Sequence, residues 1–170
     1  MKRVYNAIMS ALQKKAAQFK VLGVNPPETF DIHLGQENNP EDFEFALPAI
    51  FYDYSLDIVG GFVYVYLYII QDYGEDTENF ATNRDNGIRF LDFITAVKRC
   101  LNNVRTTNKA YGKLELYQEQ PQQNLDFYCH LLTLRCTYNA DNDTDLNDEV
   151  AAEQFTIELK KGRLRNTIDD

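Results

Sequence analysis

Residues 60–70, GGFVYVYLYII, decide the fold class. The apolar run from Phe62 to Ile70 is nine residues long with four β-branched members, far short of the roughly 20 apolar residues of a membrane-spanning helix. It reads as a strand. Successive strand side chains alternate between faces, so Val63, Val65, Leu67 and Ile69 belong on a core and Tyr64, Tyr66 and Tyr68 on the opposite face. A tyrosine row, apolar in body and polar at the tip, suits a half-covered sheet surface or an interface. Gly60-Gly61 separates this run from another hydrophobic one, residues 44–58 (EFALPAIFYDYSLDI), which is the signature of a hairpin. Pro48 within the earlier run points to an edge position or a bulge.

Working outward, residues 2–20 have helical periodicity through Val4, Ile8, Ala11, Leu12 and Phe19, and Gly23 with Pro26-Pro27 stops the helix. A short strand is expected at 29–34 and a polar turn at 35–42. Residues 71–83 (QDYGEDTENFATN) form a loop of a length that is uncommon unless functional or disordered. A second helix over 85–104 carries the stripe Phe90, Phe93, Ile94, Val97, Leu101 and Val104, with Arg89, Lys98 and Arg99 outside it. Strands at 113–119 and 125–138 follow, joined by a turn around Pro121. The order α-β-β-β-α-β-β predicts an α+β fold, an antiparallel or mixed sheet of about five strands with two helices packed on it. The compact domain spans 1–138. Residues 139–170 are expected to be an acidic linker and C-terminal arm, with an isolated strand at 155–159 (Phe155, Ile157, Leu159 on one side). Such a strand folds back, stays disordered or adds to the sheet edge of another chain.

The chain has 170 residues and a formal charge of −9, with 44% hydrophobic residues, which fits one globular domain and argues against a general nucleic-acid binder. The charge is strongly segregated. Residues 1–20 hold five bases and no acid, residues 21–83 twelve acids and no base, residues 84–113 seven bases and two acids, and residues 139–153 six acids and no base. These blocks are either local solvated faces or surfaces that steer one subunit onto another. The basic N-terminus lacks the apolar core and cleavage site of a secretory signal, and three cysteines give no disulfide framework, so synthesis in a reducing cytoplasm is expected.

Motifs for chemistry are sparse. Tyr111-Gly112-Lys113 lacks the other elements of a phosphate-binding loop, and no helix follows Gly60-Gly61 as a dinucleotide fingerprint requires. Cys129 and Cys136 fall on opposite faces of one strand and cannot share a metal; Cys129 reads as a core thiol. Glu115, Glu119 and Asp126 could meet as paired carboxylates with His33 as a base, a coincidence any α+β domain supplies. The acids Asp72, Glu75, Asp76 and Glu78 lack the spacing of a calcium loop and read as a solvated loop. No cofactor and no catalytic residue is assigned.

The succession ALPAIFYDY (46–54), VYVYLYIIQDY (63–73), FLDFITAVKRCL (90–101) and YGKLELYQEQPQQNLDFYCHLLTLRCTY (111–138) resembles the small tail-terminator or tail-completion proteins, the head–tail joining proteins of long-tailed bacteriophages. It covers about residues 1–138 and lies in element order; the C-terminal extension departs from the compact family members. The resemblance implies a non-enzymatic virion protein of the tail or neck. It would form a ring, a hexamer in that family, that caps the tail tube and meets the head-side connector. DNA would pass through an acidic channel without sequence-specific binding, and no membrane would be involved. The loop residues Asp72, Glu75, Asp76 and Glu78 become candidates for docking or lumen contacts. Arg89, Lys98 and Arg99 become candidates for pairing with a neighbour's acidic face, and Phe155, Ile157 and Leu159 for stitching subunits. A head–tail adaptor or tube-associated protein stands beside this reading. From other classes, so do an acidic DNA-mimicking inhibitor and a small α+β enzyme.

Overall fold

The computed structural model describes residues 1–72, 85–124 and 126–144. The fold is α+β, with a mixed five-stranded sheet carrying helices on one face. The sheet comprises β1 (Thr29–Ile32), β2 (Ala49–Asp57), β3 (Phe62–Asp72), β4 (Glu115–Gln122) and β5 (Phe127–Thr137), in spatial order β1-β2-β3-β5-β4. Only β1 runs parallel to its neighbour; the other pairs are antiparallel.

The tyrosine-bearing strand β3 is the centre. It pairs with β2 from Asp57↔Phe62 to Ala49↔Ile70 and with β5 from Phe62↔Thr137 to Asp72↔Phe127. Its alternation sets the register of both neighbours, because a slip of one residue would turn Val63, Val65, Leu67 and Ile69, all fully buried, out of the core. The hairpin turns through residues 58–61. Asp57 Oδ1 accepts the Gly60 amide at 2.7 Å, and Gly61 takes a left-handed conformation (φ 67°) that glycine reaches without steric cost.

Three helices cover one face: α1 (Lys2–Lys14), α2 (Ala17–Val21) and α3 (Asp85–Leu101). The expected single helix over 2–20 is thus two. At the break, Lys15 Nζ donates to the carbonyls of Cys100 (2.8 Å) and Asn102 (2.9 Å), satisfying acceptors left over at the end of α3. The break also lets Phe19 enter the core against Phe93, ring centroids 5.5 Å apart. Val4, Ile8 and Leu12 from α1 and Phe93, Ile94 and Val97 from α3 complete the main core over Val65, Leu67 and Leu132.

Both proline expectations need correction. β2 is an interior strand, and Pro48 lies just before it rather than on an edge. Pro121 belongs to β4, opposite His130, and the turn sits later, where Asn124 Oδ1 accepts the amides of Asp126 (2.9 Å) and Phe127 (3.0 Å). β4 is an edge strand, so a residue without an N–H is tolerated there. The packed body also continues past Tyr138. A short 3-10 turn, Ala140–Asn142, leads to Asp143, which is 4% exposed.

Candidate functional site

The two faces of the sheet differ in chemistry. On the face away from the helices, residues 33–47 cover one half. Phe45 and Leu47 pack there against Ala49, Phe51, Ile70 and Cys129 in a second, smaller core. His33 stacks on Tyr68 with centroids 3.8 Å apart, and its Nε2 lies 3.0 Å from both carboxylate oxygens of Glu37. Tyr68 is therefore removed from the exposed row that the alternation predicts. Burial raises its hydroxyl above the ordinary tyrosine value, with nearby Asp53 adding to the effect.

The other half is open. Tyr64 and Tyr66 line a shallow cleft of about 430 Å³ with Ser55, Tyr117, Gln118 and Thr133. Ser55 Oγ and the Tyr66 hydroxyl are 3.1 Å apart, and Tyr64 meets Tyr117 edge-on at 5.6 Å. Beside them the Arg135 guanidinium lies 4.9 Å from the centre of the Phe62 ring and 4.7 Å from that of Tyr117. These contacts make a rigid aromatic surface with few rotamers left to freeze on association.

The acids and bases of the sequence blocks separate onto opposite faces. Strand alternation places Asp31, Asp53, Asp57 and Asp72 on the open face of the sheet, and the exposed Glu41, Asp42 and Glu44 lie in the segment that crosses it. The helix layer, residues 2–21 and 85–101, carries eight bases against Asp85 and Asp92. Two grooves run through that layer. One, of about 800 Å³, lies between the polar side of α1 and residues 103–107; among the described residues, Lys2, Arg3, Lys14, Lys15 and Arg105 line it and no acid does. The second, of about 590 Å³, lies between α3 and β4, with Lys98, Arg99 and Lys113 at its rim and Leu101, Leu132 and Leu134 below.

Lys98 Nζ donates to both oxygens of Glu119 at 2.9 Å, which holds that carboxyl below the usual range. His130 Nε2 stands 3.7 Å from Glu119, too far for a hydrogen bond. Burial lowers the imidazole, and Glu119 partly opposes the shift. Arg89 and Arg99 are exposed.

No family model and no curated protein matches the chain.

The residues considered for catalysis do not converge. His33 lies on the sheet face away from the helices, against Glu37; Glu119 is on the helix side, near His130; Glu115 stands opposite Arg135 at the start of β4; and Asp126 is in the β4–β5 turn. Among the described residues, no cluster of His, Cys, Asp and Glu could hold a metal ion. Burial pushes the Cys129 thiol up to about 12 and that of Cys136 to about 11, so neither is a ready nucleophile. No helix among the described residues is long and apolar enough to cross a membrane. Glu75, Asp76, Glu78, Phe155, Ile157 and Leu159 lie outside the described residues.

Sequence reasoning missed the α1 groove. Its signal was present in part: the base-only block at 1–20 sits on an amphipathic helix whose polar face stays outside the core, but that Arg105 of the next basic block lies beside it is long-range information.

Proposed function

We propose that the protein is a structural subunit that assembles head-to-tail into a ring at the head–tail junction of a long-tailed bacteriophage, capping the tail tube and joining it to the head-side connector. The observation that carries the assembly part is the bipolar charge: bases on the helix layer, acids on the opposite face of the same sheet. A two-fold dimer sets each patch against its own copy or leaves it unpaired. A heterologous contact sets the basic layer of one subunit against the acidic face of the next, the type of contact from which closed rings are built. The location rests on the resemblance in element order.

In this reading Arg89, Lys98 and Arg99 face a neighbour's Asp53 and Asp57, and Tyr64 and Tyr66 supply the aromatic anchor between them. The exposed edge of β4 receives residues 155–159 of an adjacent chain as an added strand. Glu41, Asp42 and Glu44 keep the channel surface acidic, so DNA passes without adhering.

Sedimentation velocity and negative-stain imaging test the proposal. The wild-type chain forms rings, whereas Arg89→Glu/Arg99→Glu and Asp53→Lys/Asp57→Lys each shift it to smaller species. Combining all four substitutions restores rings. A wild-type chain that stays monomeric at high concentration and binds neither tail-tube nor connector protein would falsify it.

A further inference from the structure

The α1 groove has a candidate occupant in the chain itself. Asp143, buried and accepting hydrogen bonds from Asn108, Tyr111 and Tyr138, fixes the C-terminal end of the described chain. That point is at the rim of the groove. Asn108 directly follows Thr107, a lining residue, and the N-terminal amine of Met1, one residue before Lys2, donates to the Tyr111 hydroxyl at 3.4 Å. The segment that follows carries Asp145, Asp148, Glu149 and Glu153 and no base up to residue 153.

We infer that residues 145–153 bind in the basic groove between α1 and residues 103–107 of the same chain, their carboxylates pairing with Lys2, Arg3, Lys14 and Arg105. Reach is not limiting. Nine residues span up to about 30 Å when extended, against about 20 Å for the length of α1. A tether this short holds the acidic segment at an effective concentration in the millimolar range, so individually weak ion pairs act together. Within one chain the arrangement covers a basic groove, and it uses cations other than Arg89 and Arg99, so the charge reversals that test the ring leave it untouched.

The test uses the full-length chain. Lysine amines are reductively dimethylated at about pH 7.5 and their rates read by peptide mass spectrometry. Lys20, outside the groove, serves as the reference. The comparison is with Asp145→Asn/Asp148→Asn/Glu149→Gln/Glu153→Gln, which removes four carboxylates and keeps the size of each side chain. Lys2 and Lys14 are expected to react about 3-fold faster in the neutralised variant, and in wild type at about 0.5 M salt, with Lys20 unchanged. Carbodiimide cross-linking of an equal mixture of ¹⁴N- and ¹⁵N-labelled wild-type chains is expected to join Lys2 or Lys14 to carboxylates of residues 145–153 within one isotope label. Equal amine reactivity in the two proteins overturns the inference, as do cross-links that carry mixed labels and so assign the groove to a second copy. Measurable binding of a DNA duplex of about 20 base pairs by wild type, unchanged in the variant, assigns the groove to nucleic acid and likewise overturns it.

Discussion

Asp143 Oδ1 accepts a 2.9 Å hydrogen bond from the side-chain amide of Asn108, 35 residues earlier in the chain, and both residues are buried. Asn108 in turn uses its own Oδ1 to accept the Ala110 amide at 3.0 Å, and the second Asp143 oxygen accepts from Tyr138 at 2.9 Å. A carboxylate thus clasps the α3–β4 connection to the end of β5. Asp143→Ala leaves the Asn108 and Tyr138 donors unpaired in the interior and is expected to cost about 2–4 kcal/mol in urea unfolding. A loss within about 0.5 kcal/mol of zero would mean that the clasp does not form.

Tyr52 is 3% exposed, and its hydroxyl has no hydrogen-bond partner. Burial drives its ionisation well above the ordinary tyrosine range, and neighbouring Tyr54 adds to the effect. The ring itself is well used, with Tyr5 edge-on at 5.3 Å. Tyr52→Phe keeps the ring and deletes an unpaired polar group, so stability is expected to rise by about 1 kcal/mol. Calorimetry on the two proteins decides the sign.

The imidazole of His130 is held below its ordinary value of 6.5 by burial. Folding favours the neutral ring, so the contribution is complete above 6.5. As pH falls through that value the unfolded chain takes up the proton first and the native state loses stability. Glu119, held low by Lys98, acts at more acid pH: its contribution is present above its ordinary 4.5 and is lost as pH falls towards the folded value. Melting temperature is therefore expected to drop between about pH 7.5 and 5.5, and His130→Asn to flatten that drop. The window below 4.5 persists in His130→Asn and shrinks in Lys98→Ala.

Gly61 combines a positive φ of 67° with a tight approach, since a Cβ there would lie 3.3 Å from the Tyr138 carbonyl. The Tyr138 amide donates to the Gly61 carbonyl at 2.7 Å, so neither backbone can easily give way. Gly61→Ala is expected to destabilise by about 1–2 kcal/mol, read as a lower urea midpoint with unchanged slope. Gly60→Ala meets only the Asp57 side chain, whose rotation relieves the clash at the expense of its exposed hydrogen bond to the residue 60 amide, with no positive φ to strain.

The strongly periodic segments were legible because their patterns answer to local geometry. The alternation of β3 and the stripe of α3 each name their own buried face. Element ends and prolines were not. Whether Pro121 turns the chain or rides an edge depends on which strand lies beside it, and that is long-range information. The break at Lys15 depends on carbonyls 85 and 87 residues away. Tyr68 departs from Tyr64 and Tyr66 because His33 stacks on it, although the three share one strand face.

The sequence by itself determined the fold class, the central hairpin and the runs of single-sign charge, all set by side-chain period and composition. The tertiary structure alone decided where the charges go. Packing α1 and α3 by their apolar sides on one face of the sheet brings two basic blocks into one layer, although 63 residues containing twelve acids separate them in sequence. Strand alternation sends Asp31, Asp53, Asp57 and Asp72 to the other face. The hydrophobic effect selects which sides of the elements meet, and the charges, excluded from the core, take the outward directions that remain.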